Sequence, residues 1–70
     1  MSSWHYQLMH HDSDGYYAMH EYFYLGDSDD TAWTSDPITV TGDSIEDVKW
    51  SLKTMLEDIE KHGVKDYESR

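Results

Sequence analysis

Ten consecutive residues, YYAMHEYFYL at positions 16 to 25, constrain the fold more than any other stretch. They are rich in β-favouring aromatics, so they predict a strand. A half-buried strand alternates apolar and polar residues. This one does not. One parity holds Tyr16, Ala18, His20, Tyr22 and Tyr24, and the other holds Tyr17, Met19, Glu21, Phe23 and Leu25. Neither set reads as a solvated face, so both sides of the strand need cover.

The chain has 70 residues, enough for one domain. A chain this short buries only about 60% of its unfolded surface. It contains no Cys, so neither disulfides nor thiolate metal sites support it. The cover for the strand must come from one small set of elements.

One helix is strongly signalled. Ser44 suits an N-cap, and Asp47 stands three residues later, where an acid complements the helix dipole. Ile45, Val48, Leu52, Met55, Leu56 and Ile59 follow the 3, 4, 7 spacing of an apolar stripe. Lys61 and His62 lie in the last turn, and Gly63 suits the C′ position. Trp50 lies roughly opposite the stripe, beside Thr54, Glu57 and Lys61. A Trp there either lies flat over its neighbours or meets a partner.

The remaining elements are short. Residues 3–9 (SWHYQLM) predict a first strand, and HHDSDG at 10–15 a turn with a hairpin signal at Asp14-Gly15. GDSDD at 26–30 is a second acidic turn. TAWT at 31–34 starts a third strand that Pro37 interrupts and Ile38 to Val40 can resume. The prediction is an α+β domain over residues 1–63. It is a three-stranded antiparallel meander with one face on a C-terminal helix (β-β-β-α), followed by a short tail at 64–70 where Val64 and Tyr67 can dock back. One helix covers one sheet face. The odd set makes the better core, through Met19, Phe23 and Leu25. Tyr16, Tyr22 and Tyr24, with His20 between them, are then expected on the open face.

Charge directs the functional reading. Fifteen acids face five bases, a formal net charge of −10. Residues 1–48 hold ten of the acids and no Lys or Arg, whereas Lys49, Lys53, Lys61, Lys65 and Arg70 balance the five acids that follow. Such a surface repels nucleic acid, which needs cations to displace its counterions. It attracts a basic protein. The plainer reading is solubility or adaptation to salt. No apolar run is long enough to span a membrane, and MSSWHYQ does not read as a signal peptide, so a soluble cytoplasmic location is expected.

The run DGYYAMHE and the later GDSIEDVKWSLKTMLEDI resemble the HicB-like antitoxin domain, which has a DG-Y-Y strand and a GD-T-x-E-E-A helix start. The matching positions are Asp14, Gly15, Tyr16 and Tyr17, then Gly42, Asp43, Ser44, Glu46 and Asp47. The resemblance spans roughly residues 4–60 and implies a βββα unit related to part of a ribonuclease H fold. Two features depart from the family. The acidic YLGDSDDTAWTSDP replaces the usual P-x-L-P-G-C segment, and the DNA-binding domain that often follows in the family is not expected within these residues. Small bacterial and phage proteins of unassigned role have a similar shape.

Chemistry-bearing motifs are weak. His10, His11, Asp12 and Asp14 have the donors for a divalent ion but sit at a turn without fixed spacing. Asp12 to Gly15 and Asp27 to Asp30 echo calcium loops but lack the twelve-residue frame and its terminal Glu. Solvated turns are the better reading of both. His20 and Glu21 point to opposite faces of a strand, and no nucleophile elbow is present. No enzyme activity, cofactor or metal is therefore expected. A nucleobase-stacking role fails for want of cations. Tyr and Trp also anchor protein interfaces. The expected partner surface is Tyr16, His20, Tyr22, Tyr24, Trp33 and Trp50, rimmed by Asp27, Asp29, Asp30 and Asp36. The expected partner is a basic protein such as a nuclease or another nucleic-acid-binding enzyme, masked by partial nucleic-acid mimicry. Phage anti-defence proteins of the anti-CRISPR kind and antitoxins both fit this reading. The alternative is a homo-oligomeric module, such as a homodimer that closes the open sheet face.

Overall fold

A computed structural model describes residues 3–26 and 30–68. Strands β1 (Ser3–His11) and β2 (Tyr16–Tyr24) form an antiparallel hairpin, and β3 (Thr31–Trp33) pairs antiparallel with β2. Helix α1 (Ile45–His62) follows, and then β4 (Val64–Asp66). The hairpin closes where the turn residues fall: Gly15 takes φ 75° and its N–H donates to the His11 carbonyl. Its side-chain-free backbone meets that left-handed geometry without strain. The third strand ends at Trp33, ahead of Pro37, and residues 38–40 do not resume it, although Thr34 N–H donates to the Glu21 carbonyl and Ile38 N–H to the Met19 carbonyl.

The sheet is mixed rather than a three-stranded antiparallel meander. Its order is β3-β2-β1-β4, with β4 parallel to β1 through Leu8↔Val64, Met9↔Lys65 and His10↔Asp66. The segment expected as a tail supplies the fourth strand. Gly63, at φ 69°, ends the helix by donating its N–H to the Ile59 carbonyl, and the chain then turns into the sheet edge. Three residues carry too little pattern to announce a strand; Val64 was the only β-favouring one.

The register decides which face is core. Cross-strand partners share a face. His5, Gln7, Met9 and His11 therefore lie with Tyr22, His20, Ala18 and Tyr16. Gln7, Met9, His11, His20 and Tyr22 are all buried there. On the other face only Tyr6 is buried among Trp4, Tyr6, Leu8, His10, Tyr17, Met19, Glu21 and Phe23. The expected parity is thus reversed. The even set of β2 is the interior set, with His20 at 0% exposure.

The helix boundaries follow the sequence signals. Ser44 Oγ accepts from Asp47 N–H at 3.2 Å, Glu46 and Asp47 fill the first turn, and Lys61 and His62 the last. The helix's rotation does not follow. Of the expected stripe only Met55 is buried, Val48 and Ile59 are half-buried, and Ile45, Leu52 and Leu56 are exposed. Polar anchors set this rotation. The β1 edge ahead of Leu8 has no β4 partner, and Asp58 there accepts from Tyr6 N–H at 3.0 Å. His62 stacks on His5 with centroids 3.6 Å apart, and Gln7 Nε2 donates to the Gly63 carbonyl at 2.8 Å. These contacts hold the helix on β1 with Ile45, Leu52 and Leu56 turned outward. None of the described helices is long and apolar enough to cross a membrane.

Candidate protein-binding surface

The tyrosine strand was expected to supply an open face, and the structure fills that face instead. Tyr67, one residue past β4, stacks on His11 at 4.0 Å and tilts against His20 at 5.2 Å. Its N–H donates to the His10 carbonyl, and its hydroxyl donates to the Ser35 carbonyl at 2.9 Å. The residue thereby roofs the sheet from the β1 edge toward the segment after β3. The roof is also pinned at the hairpin, where Ser13 donates through both its N–H and its hydroxyl to the Glu68 carboxylate. Those bonds hold the Glu68 carboxyl below its ordinary pKa.

Beneath the roof lies a layer of imidazoles. His20 Nδ1 faces the Thr34 carbonyl at 2.9 Å, and a carbonyl only accepts, so Nδ1 carries a hydrogen. In the neutral ring Nε2 then accepts from His11 Nε2–H at 2.8 Å. Burial pushes the His20 pKa down, and the charge of His11 adds to that, against the opposing pull of the Thr34 carbonyl. At the other end of the face His5 donates from Nδ1 to the Tyr6 carbonyl and accepts the Tyr24 hydroxyl at Nε2. Its stacked neighbour His62 has a lowered pKa through desolvation and then the charge of His5. The whole face is satisfied within the fold, apart from Gln7 Oε1, which is buried with no hydrogen-bond partner among the described residues.

The expected contact residues are therefore divided. His20 and Tyr22 are interior, and Tyr22 donates its hydroxyl to Thr31 and stacks with Trp33 at 5.7 Å. Trp33 is half-buried. These three belong to packing rather than to an open surface, because the β4 segment supplies a cover that the strand count did not include. Tyr16 and Tyr24 remain partly exposed at the two ends of β2. Asp30 and Asp36 are exposed, whereas Asp27 and Asp29 lie outside the described residues. The His10, His11, Asp12 and Asp14 cluster is split by strand alternation. His10 stacks on Tyr17 and His11 on Tyr16, on opposite faces, and no group of three or more metal-ligating side chains converges among the described residues.

Trp50 stands where the sequence placed it, 62% exposed on the outer side of α1. It lines a groove of about 430 Å³ with Trp4, Thr54, Asp58, Lys61 and His62. It also borders a shallow hollow of about 480 Å³ with Glu46, Asp47, Lys49 and Lys53. Trp4 is half-exposed and meets Tyr6 edge-on at 5.1 Å. The pairing of Trp4 with Trp50 escaped the sequence reading. It depends on α1 lying along the start of β1, an arrangement to which the Asp58–Tyr6, His62–His5 and Gln7–Gly63 contacts contribute. Trp4 and Trp50 thus place two large, half-exposed aromatics around one groove.

No protein-family model, no curated protein and no solved structure matches this chain.

Proposed function

We propose that this chain is a small acidic binding protein that masks a basic, nucleic-acid-handling protein, in the manner of phage anti-defence or antitoxin proteins. The observation that carries the reading is the Trp4–Trp50 corner on a chain whose first 48 residues contain ten acids and no Lys or Arg. Trp is the residue most suited to anchor such an interface, because it buries a large rigid area at low entropy cost. The acids at Asp12, Asp14, Asp30 and Asp36 are exposed outside the strands and the helix, where they act on the approach of a partner at long range. Tyr16 and Tyr24 add aromatic area at the rim. The first-line anchor is Trp50 rather than the tyrosine strand.

The test is capture from native lysate with tagged protein at low and at high salt, alongside a Trp50→Ala variant. The reading predicts a nuclease or nucleic-acid-binding protein held at low salt, released by salt, and recovered poorly by the variant. Capture lists free of such proteins at low salt would sink it. So would equal recovery by Trp50→Ala, which would remove Trp50 from the contact.

A further inference from the structure

We propose that a second copy of this chain docks on the exposed ridge of α1 formed by Ile45, Leu52 and Leu56, through an antiparallel two-fold pairing of the helices. The ridge is 73%, 52% and 59% exposed at these three positions. It stands roughly 60–100° around the helix from Met55, the buried position. The apolar pattern explains it. Ile45, Leu52 and Ile59 repeat at seven, as do Val48, Met55 and His62. The domain uses mainly the second row, directed by the Asp58 and His62 contacts to β1. Ile45 and Leu52 of the first row, extended by Leu56, are left for another helix, while Ile59 is half-buried.

The charges beside the ridge select the occupant. On the flank away from Met55, Lys49 and Lys53 lie in the N-terminal half, and Glu57 and Glu60 in the C-terminal half. A two-fold axis perpendicular to the helix reverses the partner's direction and keeps this flank on the same side. Leu52 then meets Leu56 of the other copy and Lys49 meets Glu60, while Lys53 and Glu57 stand further out on the same flank and attract at longer range. A parallel pairing has its two-fold axis along the helices and sets this flank against the Met55 flank of the other copy, which faces the domain, so these charges find no partner. The flank is thus self-complementary in one arrangement only. The Lys49–Glu46 ion pair within the helix is loose, at 3.9 Å and highly exposed, so it opposes this little.

Net charge also points to this surface. At −10 per chain two copies repel each other, yet all five bases lie at residues 49–70. The helix is where two copies meet at least cost. Trp50 lies roughly 140° from Ile45 around the helix and stays open in the pair. A single helix-on-helix contact falls below the ~800 Å² per partner of a standard interface, so the dimer exchanges with monomer.

Sedimentation equilibrium tests this on the full chain, over concentrations of about 10 μM to 1 mM, spanning the weak range expected of a small interface. The mass is expected to rise from 8.3 kDa toward twice that value. Leu52→Glu is expected to remain monomeric while keeping the parent circular-dichroism spectrum, because the position is exposed. The Lys49→Glu/Lys53→Glu pair and the Glu57→Lys/Glu60→Lys pair are each expected to weaken association at least about tenfold, and the four changes together to restore it. A parent chain that stays at monomer mass at the highest concentration would overturn the proposal and leave the ridge to a different partner. A dimer unchanged by Leu52→Glu, or not rescued by the fourfold exchange, would overturn it equally.

Discussion

Replacing Tyr67 with alanine is expected to open the face that carries His20 and Tyr22. The structure sets the size of the effect. The hydroxyl donates to the Ser35 carbonyl at 2.9 Å, and losing one such bond costs about 1 kcal/mol. The ring contacts His11 at 4.0 Å and His20 at 5.2 Å, each worth about 0.5–1.5 kcal/mol beyond area. Their sum, about 2–4 kcal/mol, rivals the ~3–5 kcal/mol that a single small core supplies. In a chain of this size that lowers Tm by about 10–20 °C. Tyr67→Phe keeps the ring and removes only the hydroxyl bond, so its cost is about 1 kcal/mol, or about 5 °C. Thermal unfolding followed by far-ultraviolet circular dichroism measures all three proteins. Tyr17→Ala serves as the control, since Tyr17 is exposed on the opposite face, and its effect is expected within about 1 kcal/mol. If Tyr67→Ala melted within about 2 °C of the parent, the roof would carry no energy and the account of the buried face would fail.

Further expectations concern pH and the helix start. The His20 and His62 pKa values lie below 6.5 in the folded chain, so the unfolded chain binds protons more readily. Their contribution to stability is complete above 6.5 and is lost as pH falls below it. Urea midpoints are therefore expected to drop between pH 7.5 and 5.5, a range in which carboxylates stay ionised and His protonation dominates. A flat profile would contradict this. Ser44→Ala removes the cap on Asp47 N–H and is expected to cost about 1 kcal/mol in urea unfolding, while Ser44→Asp keeps it; equal losses would rule out capping as the cause. Gly42→Ala places a Cβ 2.7 Å from Asp47 Cβ and 3.2 Å from Val48 N, so it is expected to cost about 1–3 kcal/mol by the same assay, and a neutral result would show that the helix start gives way freely.

What the sequence revealed depended on whether a signal was local. The hairpin turn at Gly15, the N-cap at Ser44 and the C′ glycine at 63 are set by backbone chemistry within a few residues, and each stands where its residues place it. The face of β2 was not legible. Its two parities differ little in apolarity, so the choice fell to Tyr67, more than forty residues away, and to the His11–His20 hydrogen bond. The cover of that face was hidden too, because Tyr67 reaches it only where β4, three residues long, joins the sheet edge beside β1. The rotation of α1 was hidden by a polar contact. Hydrophobic periodicity places Leu52 and Leu56 inward, whereas Asp58 capping the Tyr6 N–H turns them out. Trp50 was legible because it breaks the helix pattern within the helix itself. Its neighbour Trp4 was not, since their shared groove needs the helix docked on β1.

Photochemically induced nuclear polarisation reads the solvent access of Trp, Tyr and His side chains one by one. It therefore tests most directly which aromatics this chain presents to a partner. The structure predicts strong signals from Trp4, Trp50 and Tyr17, weaker ones from Tyr16 and Tyr24, and silence from Tyr22, His11 and His20. Polarised Tyr22 and His20 beside a dark Trp50 would return the open surface to the tyrosine strand and contradict the account.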